Sequence, residues 1–198
     1  MALRNVVLVL LLQFVSCQRP YIVVNGKPSF CKNTLCPSFT VKNSTATYET
    51  RQYGPEKWIA NDVVEQPLLF PTKKQLFMPL DKYTRRNRIP ASSPLLVKSY
   101  SKVSNFTMMM YVPKSYTRNL RNRGYVYVTE KQNFTAYVRR SFAGNPNSIL
   151  RWKYEANELK NALIRDKLTF NHDIFYSAIY SEPWATWASH NEIWFIAK

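Results

Sequence analysis

The sequence predicts a single α+β domain whose two halves each run strand, strand, helix, strand, strand. Three observations carry that expectation. Short segments alternate apolar and polar residues at a period of two and are bounded by turn residues. Two longer segments repeat apolar residues at steps of three and four. The segments also fall in the same order on both sides of the chain's middle, as an internal duplication would leave them. Halves of this kind assemble economically into one sheet or open barrel with two helices packed on it.

Met1–Cys17 carries one positive charge, Arg4, then the apolar run Val6–Leu12 followed by Phe14 and Val15. That is the layout of a cleavable secretory signal, and the run is shorter than the roughly 20 apolar residues a membrane span needs. Val15 and Cys17 make Gln18 the expected mature start, and no later stretch is apolar enough to anchor the chain. The expected product is secreted and extracellular. Removing the signal leaves Cys31 and Cys36. In an oxidising compartment a disulfide closing that short turn is the simplest reading, and two free thiols are the alternative. No metal site is expected, because neither His172 nor His190 has a cysteine near it. Sequons at Asn43, Asn105 and Asn133 are glycosylation candidates, although sequons also arise by chance. Asn43, in a polar and loop-like stretch, is expected to be used first.

Tyr48–Tyr53 and Lys57–Glu65 read as strands joined by Gly54 and Pro55. From about Thr72 to Arg86 the spacing of Leu76, Phe77, Leu80 and Tyr83 predicts a helix, which Pro79 should end, kink or shorten. Two strands follow, Pro94–Tyr100 and Asn105–Val112. In the second, Phe106, Met108, Met110 and Val112 face one way and Met109 and Tyr111 the other, so both faces are expected to be covered. In the second half, Tyr125–Thr129 and Phe134–Phe142 alternate as strands. Asn145 and Pro146 form a helix start, with a capping side chain and then a proline at the first position. Ile149, Trp152, Ala156, Leu159 and Leu163 continue it, opposite Arg151, Glu155, Glu158 and Arg165. Ile174–Tyr180 and Glu192–Ala197 close the chain as strands.

The net charge is +16, and it is concentrated. Between Thr72 and Arg140, seven lysines and eight arginines stand against Asp81 and Glu130, a net of +13. Outside a cell such a region attracts acidic polysaccharide, anionic matrix, membrane surface or an anionic ligand more readily than nucleic acid. Arg86 and Arg88, with Lys114, Arg118, Arg121 and Arg123 in an arginine-rich loop interleaved with Tyr116 and Tyr125, are the candidate polyanion-binding residues. A solvated basic face without a partner is the bland alternative. Catalysis finds no support: there is no Ser-His-Asp motif, no glycine-rich phosphate loop among four glycines, and no paired histidine ligands. Glu49, Asp62 and Glu65 are simpler as solvated carboxylates than as an acid-base group.

Several blocks carry a family resemblance in order along the chain. They are Cys36–Val41, Tyr48–Tyr53 with Trp58, Met109–Pro113, Thr135–Phe142, Phe175–Tyr180 and Asn191–Ile196. Together they resemble the SOUL haem-binding proteins, over a domain running from residue 36 to 198 beyond an extension of residues 18–35. The resemblance implies a distorted antiparallel β-barrel of two repeats, each with a helix. It also implies non-covalent binding of haem or another tetrapyrrole in an apolar cleft beside the first helix. Lys82 and Tyr83 match a Lys-Tyr pair at the end of that helix. Carried over, Phe77, Met78 and Leu80 would line the cleft, and Lys74, Lys82 and Arg85 would meet the propionates. Two stretches depart from the family pattern where the ligand is expected: Pro79 interrupts the helix, and Ala91–Val97 keeps only the proline of a Met-Thr-Ala-Pro-Val-like block.

His172 and His190 are simpler as exposed turn histidines than as iron ligands, and Met78, Met108, Met109 and Met110 as packing residues than as thioether ligands. The expected mode is therefore apolar and ionic contact without a strong axial ligand. An extracellular or biomineral matrix protein using the basic surface is the alternative.

Overall fold

The computed structural model describes residues 23–24, 27–64, 70–100, 104–145, 148–182 and 185–198. The expected signal Met1–Cys17, the start at Gln18, Glu65 and Pro146 lie outside them. Strands β1 (Val23–Val24) and β2 (Lys27–Pro28) pair as a small ribbon, followed by a 3₁₀ turn at Ser29–Cys31. The first half then contains β3 (Phe39–Ser44), β4 (Tyr48–Tyr53), β5 (Glu56–Val63), α1 (Phe70–Asn87), β6 (Leu95–Tyr100) and β7 (Phe106–Val112). The second contains β8 (Tyr127–Lys131), β9 (Phe134–Gly144), α2 (Ile149–Arg165), β10 (Ile174–Ile179) and β11 (Ala188–Ile196).

Nine strands form one antiparallel sheet in the order β3-β4-β9-β11-β10-β6-β7-β5-β8. Leaving out β3, that order is a palindrome about the β10–β6 pair. The first strand of each half crosses over, β4 onto β9 and β8 onto β5. The α+β class with two such repeats is as expected. The described sheet ends at β3 and β8 without closing, so a barrel describes it only loosely. β3 was not anticipated as a strand. Five of its six residues are exposed, so it shows no alternation, and Asn43 sits on this edge strand rather than in a loop.

Both faces of the sheet carry a core. One face, under the helices, buries Tyr48, Ile59, Leu76, Leu80, Met108, Leu159, Leu163 and Phe195 among others. The other buries Tyr53, Trp58, Met109, Tyr111, Val138, Tyr176 and Trp194. β7 contributes Met108 and Val112 to the first and Met109 and Tyr111 to the second, as its alternation predicted.

Pro79 neither ends nor shortens α1, which runs on to Asn87. Proline has no N–H to give the carbonyl of Gln75, four residues earlier. The side-chain amide of Asn61, 3% exposed on β5, donates to that oxygen at 3.2 Å and to Leu76 O at 3.0 Å. The sheet thus supplies the donor that the helix lacks. Asn61→Leu is expected to leave the carbonyl unsatisfied and to cost about 1–3 kcal/mol, read as a lower midpoint with an unchanged m-value in urea unfolding.

The two helices end alike. At α1, Ile89 N donates to Thr84 O and Arg88 N to Arg85 O; at α2, Leu168 N donates to Leu163 O and Lys167 N to Ile164 O. Both are Schellman closures with a cation in the left-handed position, Arg88 at φ 55 and Lys167 at φ 56. The second helix starts later than the Asn145-Pro146 pair suggested. Ser148 is its N-cap and accepts from Arg151 N at 3.3 Å, which a serine side chain does as well as asparagine. Glu155 is not on the solvated face: it is buried, paired with Arg139 of β9 and with Arg151 at 2.6 Å.

Cys31 and Cys36 are bonded to each other. The turn they close packs into the body, with Phe30 and Cys31 buried, Phe30 stacked on His190 at 3.9 Å, and Leu35 paired with Ser92.

Candidate functional site

Helix periodicity separates the residues expected to line one cleft. At about 100° per residue, Met78 and Leu80 lie about 200° apart and cannot share a face. Leu76, Leu80 and Tyr83 point into the sheet, with Leu80 fully buried, and Phe77 is half-buried against the same core. Met78, Lys82 and Arg85, at steps of four and three, face outward. Leu80 and Phe77 therefore back the helix without lining its groove, and Lys74 is exposed one turn before it.

The outward face of α1 is one wall of an open groove of about 790 Å³, and the turn Arg123–Val126 is the other. That turn is a two-residue hairpin in which Arg123 and Val126 exchange backbone hydrogen bonds. Gly124, at φ 58, supplies the left-handed conformation its first central position requires. The connection carrying it is pinned to the helix. Tyr83 donates through its hydroxyl to Arg121 O at 2.8 Å, and Tyr116 to Asn87 O at 3.0 Å. Burial pushes the Tyr83 hydroxyl's pKa up, which keeps it a donor.

Met78, half exposed, and Tyr125, 83% exposed, are the apolar surfaces of the groove, with Pro79 and Val126 beside them. Lys82, Arg85, Arg86 and Arg123 surround these, with Asp81 as the one carboxylate among the described lining residues; it holds Arg85 at 3.1 Å. A flat apolar anion fits this composition, since one face of it can lie on Met78 and Tyr125 while its acid groups reach the cations. The fold therefore gathers Met78, Lys82 and Arg85 from the expected ligand set and Arg86 and Arg123 from the polyanion set. Tyr125, expected both to open a strand and to interleave a basic loop, stands instead in the turn before β8, and its place beside α1 has no local signal.

The remaining cations are distributed. Arg88, Arg118 and Arg121 are exposed near the same end of α1 but do not line the groove. Lys114 lies apart, paired at 3.2 Å with the buried carboxylate of Glu56. Of the two departures from the family pattern, only Pro79 borders the groove. Ala91–Val97 instead leads into β6, where Leu95, Leu96 and Val97 are buried. Asn43 and Asn133 are exposed and Asn105 is half-buried.

Neither histidine reaches the groove. His172 is exposed and stacks on Phe170 at 4.1 Å. His190 is not the exposed turn residue expected: it lies within β11, stacked on Phe30 and 2.9 Å from Glu192, because the disulfide-closed turn folds over it. Met108 and Met109 are core residues. Among the described residues no group of three or more His, Cys, Asp or Glu side chains is placed to hold a metal ion. Among them, too, no helix is long and apolar enough to cross a membrane.

The chain matches the family model for SOUL heme-binding protein over residues 34–196. It is 26% identical over 173 residues to heme-binding protein 2 of Mus musculus, covering 77% of this chain and 78% of that protein. To heme-binding protein 2 of Homo sapiens it is 27% identical over 169 residues, with the same coverage of 77% and 78%. Among solved structures it is similar to a chain of the EcmrR–DNA complex, with a TM-score of 0.54, 13% identity and 76% of this chain covered. It spans 57% of that chain's length. It is also similar to a hydrolase from Listeria innocua, with a TM-score of 0.50 and 8% identity over 77% of this chain and 92% of that one. At these identities the structural likenesses show the fold alone.

Proposed function

The chain belongs to the SOUL heme-binding protein family, and on that premise we propose that it is a secreted, non-enzymatic protein that binds haem or another tetrapyrrole non-covalently in the groove between α1 and the Arg123–Val126 turn. The observation that carries the reading is the placement of exposed Met78 and Tyr125 within a ring of Lys82, Arg85, Arg86 and Arg123. Haem would bring the iron and its redox chemistry. The chain's own residues bind one face of the macrocycle and neutralise its carboxylates. Micromolar affinity is about 8 kcal/mol, and burial at about 25 cal/mol per Å² reaches that with about 330 Å² of apolar surface before association costs. The charge contacts help to offset those costs.

Secretion is supported by the layout of Met1–Cys17 and by the Cys31–Cys36 bond, which suits an oxidising compartment. The exposed sequons at Asn43 and Asn133 suit a glycoprotein.

Titrating the protein lacking residues 1–17 with haemin, followed by its Soret band, tests the proposal. The parent should saturate in the micromolar range. The double variant Arg85→Glu/Arg123→Glu should bind at least tenfold more weakly, because it turns two attractions to the propionates into repulsions. No Soret change in the parent would overturn the haem reading. In that case, heparin retention lost on replacing Arg118, Arg121 and Arg123, and weakened by salt as a screening length of about 10 Å at 0.1 M requires, would favour a matrix polyanion instead.

A further inference from the structure

A second cavity, of about 480 Å³, lies on the helix-covered face of the sheet, between α2 and strands β6 and β10. Its size is within the range of small-molecule sites, roughly 300–1,000 Å³. Phe106, Trp152, Phe175 and Phe195 form its apolar floor. Its charged groups are of one sign: Lys153 and Lys160 stand on α2 and Lys73 on the first turns of α1, and no aspartate or glutamate is among the described residues that line it. We propose that this cavity is a separate binding site for a small amphipathic carboxylate, an apolar body on the aromatic floor with one anionic head among the three lysines.

The two sites differ in address and in shape. The groove uses the outer face of the C-terminal half of α1, whereas this cavity is walled mainly by α2, and none of the described residues lines both. The groove is shallow and ringed by four cations, which suits a flat ligand with several acid groups. The cavity is more enclosed, with its aromatics inside, which suits a ligand that buries its tail. Lys73 supports the choice of an anion. It is 4% exposed, and burial pushes its pKa down to about 8. A carboxylate beside a buried ammonium favours its charged form.

The test uses 1-anilinonaphthalene-8-sulfonate as a fluorescent probe on the folded parent protein, displaced by laurate and, as a neutral control of equal chain length, by dodecanol. Laurate should displace the probe at least tenfold more effectively than dodecanol. Lys160→Glu should weaken laurate at least tenfold and leave haemin binding unchanged. Lys153→Glu, at an exposed position, should act in the same direction and stands in if Lys160→Glu fails to fold. Met78→Asp should leave laurate binding unchanged. Equal displacement by laurate and dodecanol, no probe binding, or loss of laurate binding with Met78→Asp but not with the lysine variants would each overturn the proposal. Failure of haemin to bind in the parent would leave this site untouched, so the two readings fail separately.

Discussion

Met78→Asp is expected to abolish the Soret change on haemin titration, weakening binding by more than a hundredfold, whereas His172→Ala and His190→Ala should leave it within about twofold. Met78 is half exposed on the groove wall, so its side chain is available to a ligand and contributes little to the core. Its replacement should therefore preserve the fold. Burying a methionine against an apolar ligand is worth about 1.5–3 kcal/mol, and that gain is lost. The new carboxylate also faces a dianion and competes for Lys82 and Arg85. Together these exceed the roughly 2.7 kcal/mol that a hundredfold represents. The histidines should not matter because neither lines the groove: His172 stacks on Phe170, and His190 is held between Phe30 and Glu192. A large loss with either histidine variant would overturn binding without an imidazole ligand.

Glu192→Ala should cost about 3–5 kcal/mol of stability, the largest loss expected from any single substitution considered for this chain. Glu192 is fully buried. One oxygen accepts from Arg51 Nη2 at 3.0 Å and lies 2.9 Å from His190 Nε2. The other accepts from Arg51 Nη1 at 3.2 Å, Tyr180 Oη at 2.9 Å and Trp194 Nε1 at 2.8 Å. Arg51, 1% exposed, also bonds Glu49 at 2.9 Å and covers Phe39 with its guanidinium at 4.3 Å. Removing the carboxylate takes from the buried Arg51 one of its two carboxylate partners, and from three further groups their acceptor, at once. Urea unfolding checks the loss. The pH dependence has a definite sign. Burial alone would raise the Glu192 pKa, but the charge of Arg51 and the bond to His190 hold it far below the ordinary carboxylate range. A carboxylate depressed in the folded state contributes its full stability above the unfolded pKa of about 4.3 and loses it as pH falls towards the folded value. The parent should therefore lose stability steadily below about pH 5, and Glu192→Ala should show a flatter acid limb.

The groove was half legible in the sequence. Met78, Lys82 and Arg85, which the family resemblance implied for one cleft, lie on one outward face because a helix repeats its face at three and four residues. The resemblance implied Leu80 as well, although its angle on the helix places it inside. Pro79 looked like an interruption because the donor that replaces its missing N–H comes from Asn61, on another element of the fold. His190 looked like a turn residue because nothing near it in the chain announces that Phe30 will cover it.

Local pattern by itself determined the two helices and the eight strands of the two repeats, the duplication, the two-faced packing of β7 and the short Cys31–Cys36 loop. Each of these depends on periodicity or proximity within a few residues. Tertiary structure alone decided the exchange of β4 and β8 between halves and the open edges at β3 and β8. It also decided the burial of the charges at Arg51, Glu155 and Glu192, and the meeting of Arg123 and Tyr125 with α1. A charged side chain reads as solvated until its partner, here 141 residues away in the case of Arg51 and Glu192, is brought beside it by the sheet.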